Sequence, residues 1–223
     1  MKKFKLILII IAILIALSSI NAQTDKKKNN TSPAQSGAGC FDENSRMLNA
    51  GIGFGGFNYY SAYTGYGYSY RNNPAFSLSY EQAYRKKLGP GYLGLGAYFG
   101  FQNSNSTYNY FWNKNGYNSS YYYKNSWTNY MIAARGAYHP DILNSEKAEL
   151  YFGLLIGLRI QTYNYETNNP DPDANIYRIS NGSVYPAYSL FIGGRYYFTQ
   201  NIGLFAELGY GISYLTGGLS FKF

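Results

Sequence analysis

Cysteine and histidine are almost missing from this chain: Cys40 and His139 are the single representatives of their types among 223 residues. One cysteine excludes an intramolecular disulfide. Charge is scarce as well. Asp, Glu, Lys and Arg make up 13% of the sequence, against about 25% in an average domain. A soluble domain so poor in charge gathers its apolar residues into a core, whereas here they are spread in short alternating runs. What the chain has instead is aromatic and small: 28 Tyr and 25 Gly. That mixture suits a sheet with one apolar face and a wet rim.

Long apolar runs are absent too, with one exception. Lys2, Lys3 and Lys5 precede an unbroken apolar stretch from Leu6 to Leu17, followed by Ser18, Ser19, Ile20, Asn21 and Ala22. A basic start, an apolar middle and a small residue at the end form a secretory signal peptide over residues 1–22, with cleavage expected after Ala22. The stretch falls short of the roughly 20 residues that a membrane-spanning helix needs. The formal charge of +8 is partly that leader's. Three more lysines, Lys26 to Lys28, lie in a polar stretch, so the remainder is mildly basic and carries no nucleic-acid patch.

Residues 23–45 show no periodicity and read as a disordered periplasmic tail. Cys40 lies too far beyond the apolar run to be a lipoprotein processing site, so an unpaired thiol is expected there. From residue 46 to 223 the pattern changes to a strand period of two. Eight runs can be marked, starting near Leu48, Phe76, Leu93, Tyr130, Leu150, Tyr188, Leu204 and Leu215. The fifth is the clearest. Leu150, Phe152, Leu154, Ile156, Leu158 and Ile160 share one face, opposite Tyr151, Gly153, Leu155, Gly157, Arg159 and Gln161. Glycine at every second position of the other face, with an occasional Arg or Glu, argues against a soluble sandwich and against helix. It fits a membrane barrel, whose apolar face meets lipid and whose narrow lumen holds small and paired polar residues.

The connections agree. Links at 58–75, 103–129 and 162–184 are long, while 86–92 and 199–201 are short and 139–149 is intermediate. With the N-terminus in the periplasm the long links fall outside, as in outer-membrane barrels. The last link, near Gly211, is short and breaks the trend. The expected fold is therefore all-β, an eight-stranded antiparallel up-and-down transmembrane β-barrel with both mature termini periplasmic.

The final segment, Leu215-Thr216-Gly217-Gly218-Leu219-Ser220-Phe221-Lys222-Phe223, resembles the terminal strand of OmpA/OmpX-like barrels, the porin-family outer-membrane β-barrel domain. The resemblance covers about residues 46–223 and is one of pattern. It implies that Leu219, Phe221 and Phe223 form the signal read by the barrel-assembly machinery. It also implies outer-membrane lipid and lipopolysaccharide as surroundings in a Gram-negative cell. With no peptidoglycan-binding domain after Phe223, a role as a cell-wall tether is not expected.

Five charged residues fall on inward faces: Glu81, Arg135, Arg159, Arg195 and Glu207. Isolated buried charges are costly, so a paired, structural cluster plugging the lumen is expected, with Arg195–Glu207 as the first pair. A gate or selectivity filter is the rival reading. Some barrels of this fold modify lipid A with histidine and serine near the outer rim. His139, the lone histidine, sits at the periplasmic end of its strand, so no enzyme is expected.

The outer links hold the remaining signal. One carries Tyr108, Tyr110, Phe111 and Trp112, then Tyr121, Tyr122, Tyr123 and Trp127; another carries Tyr59, Tyr60, Tyr63, Tyr66, Tyr68 and Tyr70. These aromatics fit an extended interfacial girdle or a surface for adhesion or glycan contact, where flat rings and Asn supply stacking and hydrogen bonds. Asp171, Asp173 and Asn175 have the alternate-oxygen spacing of a calcium loop without its glycine and distal glutamate, so a solvated loop is expected. No cofactor or metal is expected. The sequence thus points to a non-enzymatic outer-membrane protein with a structural or surface-interaction role, a small-solute channel being the alternative.

Overall fold

A computed structural model describes residues 40–56, 66–114, 117–171, 178 and 182–223, with the side chains of 112–118 excepted. The expected signal peptide, most of the tail, Tyr59, Tyr60, Tyr63, Asp173 and Asn175 lie outside the described residues, as does the side chain of Trp112.

Among the described residues nine strands form, all antiparallel: β1 (Arg46–Phe54), β2 (Tyr68–Asn72), β3 (Ala75–Ala83), β4 (Gly91–Lys114), β5 (Tyr117–Pro140), β6 (Ala148–Thr167), β7 (Ser183–Tyr197), β8 (Ile202–Gly209) and β9 (Leu215–Lys222). Eight of them close a ring in the order β4-β3-β1-β9-β8-β7-β6-β5, with β5 returning to β4. The seam joins the first and last described strands, Met47 facing Lys222 and Phe54 facing Leu215. The fold is an eight-stranded antiparallel β-barrel. The ninth strand, β2, continues β3 past Asn73-Pro74. It pairs with residues 104–108 of β4, just above the stretch that β3 occupies. Proline has no N–H to give a ladder, and it marks this break.

Inside the ring, alternation sorts side chains as the period of two requires. Leu150, Phe152, Leu154, Ile156 and Leu158 point outward and are exposed, while Tyr151 and Leu155 between them are buried. The same holds for Ile52, Phe76, Leu78, Leu95, Leu190, Ile192, Leu204 and Leu208, all exposed on the outside. The result is a continuous outer belt of aliphatic and aromatic side chains.

The wall is uneven in height. Strands β4 and β5 run 24 residues each and pair along their whole length, from Gly91–Pro140 to Lys114–Tyr117. On the opposite side, β8 and β9 have 8 residues each. The link expected as a long loop at 103–129 is therefore mostly sheet: a hairpin rising above the barrel, braced by β6 up to Thr167 and by β2. Its Asn-, Ser- and Thr-rich composition hid the strands, because their outward residues are polar. The short β8–β9 connection is explained by where it goes. Instead of rising, it folds into the barrel, burying Ile212 and Ser213. The Ser213 and Thr216 hydroxyls lie 2.7 Å apart.

Residues 40–45 depart from the expected disordered tail. Cys40 and Phe41 are buried at the opposite end of the barrel, within an apolar cluster that includes Met47, Ala83 and Tyr197. Asp42 to Ser45 form a turn in which the Ser45 N–H donates to the Asp42 carbonyl (3.1 Å) and the Ser45 hydroxyl to the Asp42 carboxylate (2.9 Å). The Lys222 ammonium donates to the Cys40 carbonyl at 2.8 Å. An aromatic residue with a hydrophobic mouth to fill orders a stretch that composition alone reads as a tail.

Candidate functional site

The barrel's interior holds a chain of six charged side chains of alternating sign. Glu207 of β8 receives two bonds from the Arg135 guanidinium of β5, Nη2 to Oε1 at 2.6 Å and Nη1 to Oε2 at 3.3 Å. Arg135 Nε donates to Glu81 of β3 at 2.9 Å. The other Glu81 oxygen meets His139 Nε2, and His139 Nδ1 lies 3.1 Å from Glu149 of β6. Glu149 in turn takes a bond from Arg195 Nη1 of β7. The Tyr151 hydroxyl donates to Glu207 at 2.8 Å.

Both imidazole nitrogens of His139 face carboxylate oxygens, which only accept when ionised. With Glu81 and Glu149 both ionised, both nitrogens carry protons and His139 is an imidazolium. This balances the row: Glu81, Glu149 and Glu207 against Arg135, His139 and Arg195. Buried charge is tolerated where each ion has a counter-ion; the four inner members of the row have one on both sides, and Glu207 and Arg195 at its ends have one each. Aromatic faces complete the cage, with the Arg135 guanidinium 4.1 Å from the Phe191 ring centroid and that of Arg195 4.8 Å from Tyr151.

Room for these groups comes from glycine. A Cβ at Gly94 would lie 2.7 Å from the Glu81 carboxyl carbon, and one at Gly193 2.6 Å from the Tyr151 ring. Apolar side chains lie on both sides of the ion row. Tyr98, Met131, Ala133, Leu155, Phe191 and Ile212 form an apolar layer toward the tall hairpin. On the other side Phe41 stacks on the His139 ring, centroids 3.7 Å apart and planes within 5°.

The segment that supplies Phe41 is itself chemically quiet. Burial, and after it the nearby Glu149 carboxylate, pushes the Cys40 thiol up to about 12, and its Sγ donates to the Ser145 carbonyl at 3.2 Å. Burial would raise the Asp42 carboxyl. The Lys222 ammonium, the Asn44 N–H and the Ser45 hydroxyl outweigh it and hold the group below its ordinary range.

Four of the five charged residues expected in the lumen meet here: Glu81, Arg135, Arg195 and Glu207. Two expectations are corrected. Arg195 pairs with Glu149 rather than Glu207, which Arg135 takes from across the lumen. Arg159 stands apart, half-buried, its guanidinium 5.5 Å from the Tyr185 ring. Sequence reasoning missed Glu149 and His139 as members. Both continue the inward alternation, one residue before Leu150 and two after Ala137, so extending each run would have found them.

Above the barrel the hairpin carries the aromatic residues. Tyr108 and Tyr123 face each other across β4 and β5, ring centroids 6.0 Å apart, and Tyr68 stacks on Tyr108 at 4.3 Å. Tyr110 and Tyr121 form the next row on the same inward face. Trp127 is buried beside Tyr163 at 5.9 Å, and the Tyr123 hydroxyl accepts from Asn169 at 2.9 Å. Phe111 and Tyr122 point the other way and are exposed. Arg178 approaches the Tyr163 ring at 5.7 Å. Asp171 is exposed, and no cluster of three or more potential metal ligands occurs among the described residues. At the seam, Leu219 and Phe223 are exposed and Phe221 is half-buried, facing Leu48 and Ile202.

No family model and no curated protein matches this sequence. Among solved structures, the chain is similar to two of Ail, the attachment invasion locus protein of Yersinia pestis, one of them in complex with the heparin analogue sucrose octasulfate. Each is 12% identical, with TM-scores of 0.40 and 0.39, over 81% of this chain and 99% of that one. At that level of likeness no residue role carries over.

Proposed function

We propose that this chain is an integral protein of a Gram-negative outer membrane, a closed barrel whose raised hairpin acts in surface interaction. One observation carries the membrane reading: the outward faces of β4, β5 and β6 change character at a single row. Phe101, Tyr130 and Ile160 are register partners, and the next outward row is Asn103, Thr128 and Thr162. Below it everything outward is apolar, and above it nearly everything is polar. From Leu150 to Ile160 a strand rises about 34 Å along its length, or roughly 26 Å along the normal at a 40° tilt, close to the ~25 Å apolar band of such barrels. Both ends of the mature chain then lie in the periplasm. Lipid and lipopolysaccharide surround the belt, and Leu219, Phe221 and Phe223 address the assembly machinery.

The ion row, with apolar layers above and below it, supports a structural lumen over a solute channel, and a non-enzymatic role. The hairpin is the part that reaches an external partner. Replacing residues 105–126 by a two-residue turn removes it at a register pair, Asn105 opposite Ser126. Cells carrying that variant should insert the barrel normally and lose surface attachment. Unchanged attachment overturns the surface role, and steady single-channel currents from the intact protein in planar bilayers overturn the closed lumen.

A further inference from the structure

We infer that one sector of the periplasmic rim, made by the β3–β4 and β5–β6 turns, is a docking surface for anionic glycerophospholipid headgroups. The inference rests on the membrane reading above. The β3–β4 turn presents Arg85, Lys86 and Lys87 in succession, all exposed, and no acidic residue occurs from Tyr84 to Tyr92. It hangs directly below outward Leu93 and Leu95 of the apolar belt. Apolar side chains flank the cations: Tyr84 is 50% exposed and Leu88 41%.

The neighbouring β5–β6 turn extends the same surface. The Asp141 N–H donates to the Pro90 carbonyl at 3.0 Å and the Tyr138 hydroxyl to the Leu88 carbonyl at 2.7 Å, tying the two turns together. It adds Ile142, 69% exposed, and Leu143, 45%. Isolated exposed aliphatics are ordinary. Three of them beside three cations, at the edge where an apolar belt ends, form an amphipathic surface.

The chemistry of the partner follows from that arrangement. Aliphatic tips fit the acyl boundary, while Arg and Lys stems lie along it and hold their charges at the depth of the phosphodiester. The Lys87 ammonium, 5.8 Å from the Tyr92 ring, is already held at this edge. Asp141, Glu146 and Lys147 on the second turn reduce the excess positive charge without cancelling it. A zwitterionic headgroup brings its own cation and gains little, whereas an anionic one is attracted by about a factor of five per nearby Lys or Arg. The remaining periplasmic turn, Phe198–Asn201, carries no charge. Near the seam Lys222 is paired with Asp42 while Glu43 offsets Arg46, so the excess of exposed cations among the described rim residues lies in one sector.

The test reads lipid selectivity directly. The full mature chain is reconstituted into phosphatidylcholine vesicles with trace spin-labelled phosphatidylglycerol or phosphatidylcholine, and the motionally restricted fraction of each is measured. The intact protein should restrict phosphatidylglycerol at least about twofold more than phosphatidylcholine, averaged over the whole boundary, and ~1 M salt should abolish the difference. The R85Q/K86Q/K87Q variant, checked for folding by its heat-dependent gel mobility, should restrict both lipids equally. Selectivity that persists in the variant, or is absent from the intact protein, overturns the inference while leaving the membrane reading intact. No restricted component for either lipid overturns both.

Discussion

The lower and upper halves of β4, β5 and β6 are the same strands with opposite dress. Below the row of Phe101, Tyr130 and Ile160 the outside is apolar and the inside holds glycine and ions. Above it the outside carries Asn103, Asn105, Thr107, Ser126, Lys124 and Asn164, and the inside carries Tyr108, Tyr110, Tyr121, Tyr123, Trp127 and Tyr163. Backbone pairing runs through without a break. On the proposed membrane reading, what reverses is the medium that each face meets. In lipid the apolar side must be outside, and in water the aromatic side must turn in. One ladder of hydrogen bonds serves both solvents because the ladder is indifferent to which face is wet.

Substitutions can break or sharpen this contrast, beginning with the ion row. Arg135→Met leaves Glu81 and Glu207 without their shared guanidinium and should cost about 3–5 kcal/mol in urea unfolding from vesicles, or prevent folding. Arg159→Met, outside the row and half-exposed, should cost under about 1 kcal/mol in the same experiment. Equal losses would dissolve the distinction between a built interior and a lined one.

The next effect tests the solvents. Leu154→Arg puts a charge near the middle of the outer belt and should destabilise by about 2–4 kcal/mol. Asn105→Arg, outward on the raised part of β4, should lie within ~0.5 kcal/mol of the parent. If the two variants unfold alike, the belt does not face lipid.

Tyr123→Ala should act locally. It removes a buried ring from the stack of the raised hairpin, so amide exchange in 104–111 and 119–127 should speed up by about tenfold or more. Exchange in Tyr130–Tyr138 should hardly change. Loss of protection in both would mean that the two halves fold as one unit.

The smallest effect concerns the mouth. With its thiol raised to about 12, Cys40 is almost wholly protonated at pH 8, so alkylation should be slow. A raised pKa means that the thiol form is favoured by the fold below the ordinary cysteine value, an advantage lost as pH climbs past 12. Phe41→Ala removes the stack on His139 and should quicken labelling severalfold. Asp42 has the opposite sign. Its depressed pKa adds stability above the ordinary carboxylate range, which is lost as pH falls through the folded value. Acid should therefore loosen the same segment.

Much of the lower half was legible in the sequence because its apolar outside and its small or charged inside keep a strict period of two, which marked all eight ring strands. The upper half obeys the same period with the faces exchanged. Tyr108 and Tyr110 alternate with Thr107 and Asn109, and Tyr121 and Tyr123 with Tyr122 and Lys124, a pattern that reads as loop when only outward apolar residues are sought. The ion partners were legible in kind and not in pairing. Arg135 reaches Glu207 across the lumen, and which strands stand opposite depends on ring closure rather than on neighbours in the chain. Phe41 was missed because a single aromatic in a polar stretch carries no period.

The seam has a consequence for how the barrel comes to exist. Every other pairing in the ring joins ring strands that are successive along the chain, with only β2 intervening between β1 and β3. β1 with β9 is the exception, matching Met47 to Lys222. Until it forms, the molecule is an open ribbon with two bare edges, each an invitation to another ribbon. Closing the barrel therefore requires eight residues of the first strand to meet eight of the last, and that pairing is what removes both edges.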